Sequence, residues 1–227
     1  MLILCDFDNT ITLRDTTHVL LDDFTDGAWR NVQSEYERHE ISHFEVMRRS
    51  YEFLQTPKAE LVAYALANIP IRPHFADFVD YCQQNQIDLI VVSGGLDFYI
   101  EALLPHKLPV HSYLSEYAAY WKVSLPADVT VGEGEDFKVK VLQKVLPHTA
   151  EPHPMVFIGD GRNDQAAANH ADYVFAVTGS PLAHTRHADD LPTFEFEDFG
   201  EVLEVLPTLS PRSHKDTEKL QEIIRQQ

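Results

Sequence analysis

Apolar positions along the chain fall into two patterns. Short runs closed by polar, Gly or Pro residues predict buried strands, and apolar positions three and four apart predict helices with one face in a core. Residues 1–5 form the first run and end abruptly at Asp6 and Asp8. Residues 88–92 (DLIVV), 155–158 (MVFI) and 173–177 are further strand candidates. Between them, 75–84, 98–104, 138–146 and 163–169 carry helical stripes, with Val141, Leu142 and Val145 on one face of the third. This alternation predicts an α/β chain with a parallel sheet covered by helices on both faces.

Residues 16–67 break the pattern. They contain no Val/Ile-rich strand and a single glycine, Gly27, and read as a helical insert. Val46, Tyr51 and Leu54 suggest one stripe, and Leu61, Tyr64, Ala65 and Leu66 another. Thr56 as N-cap with Pro57 in the first turn would start the last helix. The stretch Ile69-Pro70-Ile71-Arg72-Pro73 would end it, because a residue before proline is pushed out of the helical region. The expected organisation is a core of residues 1–14 and 72–209, an insert of 15–71 and a polar tail of 210–227. Residues 110–131, with Tyr113, Tyr117, Tyr120 and Trp121, suggest a β excursion.

Composition narrows the partners. A net charge of −18 leaves no basic surplus for nucleic acid and disfavours an anionic membrane. A small phosphate ester remains compatible, since a local lysine, backbone amides and a metal ion override the global field. Two cysteines, Cys5 and Cys82, form neither a disulfide framework nor a zinc pattern, so a reducing cytoplasm is expected. No apolar run reaches about 18 residues, and the apolar start is too short for a signal peptide. A monomer or homodimer is expected.

The candidate chemistry collects where predicted strands end. Ligands of such sheets bind outside the carboxyl ends of the strands. Asp6 and Asp8 follow the first strand on one face, Ser93-Gly94-Gly95 follow the second, and Asp160 with Asp164 follow the third. Asp6 is suited to attack phosphorus, and Asp8 to protonate the leaving oxygen and then activate water. Mg²⁺ prefers hard oxygen ligands, which Asp6, Asp160, the Asp8 carbonyl and Asp164, directly or through water, would supply. Ser93 and the amides of Gly94 and Gly95 would face phosphate oxygens near a helix N-terminus. Lys138, heading its helix, is the best-placed cation, whereas Lys140 and Lys144 would face solvent.

Taken together, Asp6-x-Asp8-x-Thr10, Ser93, Lys138 and Gly159-Asp160-Gly161-x-Asn163-Asp164 resemble the four ordered motifs of the haloacid dehalogenase superfamily. The resemblance implies a Rossmann-like doubly wound core, Mg²⁺ and an aspartyl nucleophile, with Thr10, Ser93, Gly94 and Lys138 on the phosphate. The insert after the first strand resembles the C1 cap of the phosphoserine phosphatase-like branch. Asp15 after Thr12, and Val91 to Phe98, look closer to methionine-salvage phosphatases that act on a methylthio keto-enol sugar phosphate. In such a cap Asp15, Arg49 and the aromatics Phe44 and Tyr51 are the candidate substrate contacts. The insert would then decide which ester is hydrolysed, and the core alone would contain the reaction. Phosphoserine is the alternative substrate. A phosphotransferase or a phosphorylated signalling module is the alternative of another class, and Asp8 and the insert favour the hydrolase.

Overall fold

The computed structural model describes residues 1–105, 107–132, 134–146 and 154–209. The tail expected over 210–227 lies outside these. Seven strands form one sheet: β1 (Leu2–Cys5), β2 (Asp88–Leu96), β3 (Val110–Tyr117), β4 (Trp121–Ser124), β5 (Met155–Gly159), β6 (Tyr173–Val177) and β7 (Phe194–Phe196). Their order is β4-β3-β2-β1-β5-β6-β7, and only β4 is antiparallel to its neighbour. Every β1 residue is at most 2% exposed, as expected of a central strand covered on both faces. The expected α/β architecture is therefore present.

Ten helices accompany the sheet among the described residues: α1 (Thr16–Phe24), α2 (Trp29–Glu37), α3 (His43–Ser50), α4 (Lys58–Asn68), α5 (Phe75–Gln84), α6 (Asp97–Leu103), α7 (Phe137–Val145), α8 (Gln165–Ala168), α9 (Pro181–Ala188) and α10 (Phe199–Val205). Local chemistry starts several of them. Asp15, Ser42, Asp136 and Ser180 accept amide hydrogens in the first turns of α1, α3, α7 and α9. Pro181 occupies the first turn of α9, where its missing N–H costs nothing.

Three local expectations are corrected. The strand read as 88–92 runs on as β2 to Leu96, with a shift in its pairing to β3 between Val92 and Leu96, so Ser93 and Gly94 sit in the strand end. The stripe through Val46, Tyr51 and Leu54 is broken, because α3 stops at Ser50 and a 3-10 turn follows over Tyr51–Phe53. Pro57 is itself the N-cap of α4, which begins at Lys58 without a side-chain cap.

The β excursion expected over 110–131 is the β3–β4 hairpin, which ends at Ser124, and it packs against the segment between α3 and α4. Tyr117 Oη donates to the Gln55 carbonyl at 2.9 Å and Trp121 Nε1 to the Thr56 carbonyl at 3.0 Å. Trp121 is 2% exposed and meets the Tyr51 ring edge-on at 5.8 Å. Burying a large apolar side chain contributes roughly 1.5–3 kcal/mol, so this contact is a main anchor of the insert. No helix among the described residues is long and apolar enough to cross a membrane.

Candidate active site

Parallel pairing sets the site. Cys5 is in register with Val91 on one side and Ile158 on the other, so the residues that follow emerge at one rim of the sheet. Asp6, Ser93 and Asp160 thus converge from β1, β2 and β5. Beneath them lies Lys138, from the first turn of α7 and 2% exposed. Its ammonium donates to Asp6 Oδ1 and to Asp164 Oδ1, both at 2.5 Å. Asp164 Oδ2 accepts the amides of Asp160 at 3.0 Å and Gly161 at 2.7 Å. Both oxygens of Asp164 are therefore engaged, which makes it a brace between α7 and the loop after β5.

The electrostatics follow from burial. Burial, then the Asp164 charge, push the Asp6 carboxyl up to about 6, against the opposing pull of Lys138. Asp160 rises well above the usual carboxylate range, through burial first and then the charges of Asp6 and Asp164. Burial alone would lower the Lys138 ammonium, but Asp164 and Asp6 hold it above its ordinary value. Asp6, Asp160 and Asp164 each offer an oxygen within 4.8 Å of the others. Three carboxylates around one ammonium carry a surplus of two negative charges when ionised. An all-oxygen donor set with that surplus fits a hard divalent cation such as Mg²⁺.

Asp8 stands half-buried beside this cluster. Burial, then the charge of Asp15, push its carboxyl up to about 8, although Thr16 and Tyr99 hydrogen-bond to it. Ser93 is 1% exposed, and its Oγ accepts the Gly95 amide at 2.9 Å. The Gly95 amide, expected from sequence to face a phosphate, is taken up by Ser93 instead; the Ser93 hydroxyl and the Gly94 amide remain. Asp6, Asp8, Ser93, Gly94 and Asp160 open into one cleft of about 690 Å³ that continues to residues of α1, α2 and α3. Asp15 lines it, while also capping α1 through the His18 amide at 2.8 Å.

Four expected contacts fall elsewhere. Thr10 is fully buried, and its hydroxyl lies 3.4 Å from Asp6 Oδ2 and from Asp160 Oδ1, so it braces carboxylates where a phosphate contact was expected. Arg49 points away from the cleft into a two-pronged pair with Glu35, at 2.6 and 2.8 Å. Phe44 and Tyr51 do not line the cleft either; Trp29, Val46 and Met47 do. Accordingly, Arg49→Ala is expected to change kcat/KM by less than about twofold on any ester, since partly exposed ion pairs contribute little. A large, substrate-selective loss in steady-state assays would return Arg49 to the site.

Other residues escaped the sequence reading. Arg72, 7% exposed, donates to the carbonyls of Thr10 at 2.7 Å, of Asn9, and of Glu197 at 2.8 Å, clamping the loop after β1. In sequence, only the neighbouring prolines carry a signal. Asn9 adopts the left-handed backbone (φ 58°), which asparagine tolerates better than most residues. His43 opens α3 and lies over Gly94, where an added Cβ would sit 2.4 Å from its ring. Burial, then the charges of Lys138 and His18, lower His43 to about 4, so the ring is neutral at physiological pH. One histidine among twelve carries no signal in sequence.

Known proteins resemble this chain in sequence and in fold. The profile described as haloacid dehalogenase-like hydrolase matches residues 3–169. A 2-hydroxy-3-keto-5-methylthiopentenyl-1-phosphate phosphatase of Brevibacillus brevis is 30% identical over 91% of this chain and 95% of its own length. The Polyol phosphate phosphatase PYP1 of Saccharomyces cerevisiae is 27% identical over 88% and 90%. Among solved structures, one described as a phospho-aspartyl intermediate analogue of phosphoserine phosphatase superposes with a TM-score of 0.67. It is 20% identical, with 92% of this chain and 98% of that one covered, and shows likeness of fold. Motif order, strand-end geometry and family match agree: the chain belongs to the haloacid dehalogenase-like hydrolases and is a phosphatase.

Proposed function

We propose that this phosphatase hydrolyses the phosphomonoester of a small metabolite through an aspartyl-phosphate on Asp6, with Mg²⁺ as cofactor. The observation that carries the reading is the strand-end cluster: Asp6 and Asp160 open to the cleft, with Lys138 and Asp164 locked behind them. An Asp6 oxygen attacks phosphorus and the bond to the leaving oxygen breaks. Asp8, whose raised pKa keeps a proton available near neutrality, gives that proton to the leaving alcohol. Water then attacks the acyl-phosphate, Asp8 recovers a proton from it, and Asp6 is regenerated. Ser93 and the Gly94 amide donate to phosphate oxygens, and Lys138 offsets charge on the nucleophile. Mg²⁺, held by Asp6, Asp160 and the Asp8 carbonyl, with Asp164 directly or through water, would neutralise the phosphate's own charge.

The insert, which we read as a cap, shapes the leaving-group end. Leu21, Trp29, Val46 and Met47 give an apolar wall, and Gln33 and His43 add polar atoms. A neutral chain bearing hydroxyl, carbonyl and apolar parts suits that wall, as in the methylthio ester for which the Brevibacillus relative is named. Phosphoserine is favoured less. Among the described cleft residues the insert presents no Lys or Arg to a carboxylate, and the one guanidinium, Arg162, comes from the core.

The experiment is a panel of small phosphate esters assayed for released phosphate with Mg²⁺ and after EDTA. Phosphate release that needs Mg²⁺ and vanishes with chelation is expected, with no acceptor required. Undiminished turnover in EDTA would remove Mg²⁺ from the reading. Transfer to an added alcohol in place of release would mark a phosphotransferase.

A further inference from the structure

Three buried hydroxyls form a chain that ends on Asp8. Tyr99 Oη, on α6, donates to Asp8 Oδ2 at 2.8 Å. Thr17 Oγ1, on α1, lies 3.0 Å from Tyr99 Oη. Tyr51 Oη, just past α3, lies 3.4 Å from Thr17 Oγ1. Each hydroxyl has one hydrogen to give. Tyr99 gives its own to Asp8 and so accepts from Thr17; Thr17 has none left and accepts from Tyr51. All three hydrogens therefore run toward the carboxyl group. Its other oxygen, Oδ1, accepts the Thr16 amide at 2.8 Å.

Gly95 makes the chain possible. A Cβ at that position would lie 2.0 Å from Tyr99 Oη and 2.7 Å from Asp8 Oδ2, where no atom fits. The second glycine of the Ser93-Gly94-Gly95 stretch thus makes room for a tyrosine on Asp8, and the segments that meet there are not all of the core. Tyr51, Thr17 and Thr16 belong to the insert, and only Tyr99 belongs to the core.

We infer that Tyr99 is a positioning residue for Asp8, and that through Thr17 and Tyr51 the insert orients the group that protonates the leaving oxygen. This rests on the proposed function, in which Asp8 is the acid. A hydrogen-bond chain with one direction polarises along its length and holds its terminal group more firmly than a single bond. With Tyr99 removed, Asp8 is held at one oxygen only, and a small misplacement of a reacting group is costly. The insert then governs rate as well as selectivity, which departs from the expectation that the core alone contains the reaction.

The test measures the phosphorylation burst of the full chain with Mg²⁺ on two probes. The leaving group of 4-nitrophenyl phosphate departs without a proton, whereas that of phenyl phosphate needs one. Tyr99→Phe is expected to slow the burst about 10-fold or more on phenyl phosphate and about threefold or less on 4-nitrophenyl phosphate, with KM unchanged. Thr17→Val, which keeps the shape and drops the hydroxyl, is expected to act in the same sense by a smaller factor. It carries the test should Tyr99→Phe fail to fold. Equal losses on both esters, or none, would overturn the inference and leave the hydrolase reading standing. A wild-type protein that gives no burst and no phosphoryl-aspartate from either ester would overturn the proposed function, and the inference with it.

Discussion

Asp6→Asn is expected to leave a folded protein whose phosphate release falls on the order of 10⁶-fold, the scale seen when a covalent nucleophile is removed. The amide keeps the shape of the side chain but is a poor nucleophile. It still accepts a hydrogen bond from Lys138, whose second partner, Asp164, is untouched. Burial and the Asp164 charge already disfavour the ionised form of Asp6. Removing that charge relieves the cluster, so the thermal midpoint should be equal or higher. Intact mass after incubation with an activated aryl phosphate should show no added phosphoryl group. Sustained turnover by a well-folded Asp6→Asn protein, measured as released phosphate, would end the covalent mechanism.

Lys138→Ala is expected to damage stability as well as catalysis. Removing one partner of a buried ion pair typically costs about 3–5 kcal/mol, because the remaining charge is left without compensation. Here Asp6 and Asp164 both lose their ammonium. The loss should depend on pH with a definite sign. Without Lys138, Asp6, which burial already pushes up, holds its proton to higher pH than it does in the unfolded chain. The folded state then binds more protons than the unfolded one, and stability falls as pH rises. The deficit in urea midpoint should therefore be larger at about pH 8 than at about pH 5.5. Lys140→Ala is the control, since Lys140 pairs with Glu135 near the surface. If Lys140→Ala matched Lys138→Ala in both assays, the assignment of the buried lysine would be wrong.

Sequence alone determined the parts of this protein that are encoded within a few residues. Apolar runs closed by polar residues placed β1, β5 and β6, and the stripe of 75–84 placed α5, because strand and helix periods are local properties. The strand-end rule then put Asp6, Ser93 and Asp160 at one rim, since parallel strands bring their carboxyl ends to the same edge. Lys138 was legible by its order before an apolar helix.

Tertiary structure decided what depends on direction across long separations. Arg49 and Glu35 are both plausible in a cleft, and only the packing of α2 against α3 turns them toward each other on the outside. Thr10 reads as a phosphate contact by the family resemblance, yet Asp160 comes within 3.4 Å of its hydroxyl from 150 residues away. Arg72 looks like part of a helix stop until the fold lays its guanidinium on the loop after β1. Tyr99 sits 91 positions from Asp8 and has no motif of its own. Sequence spacing identifies groups that share a strand or a helix turn. The partner of a buried polar side chain is chosen by desolvation, which requires some donor or acceptor nearby but leaves its identity to whichever element the fold brings there.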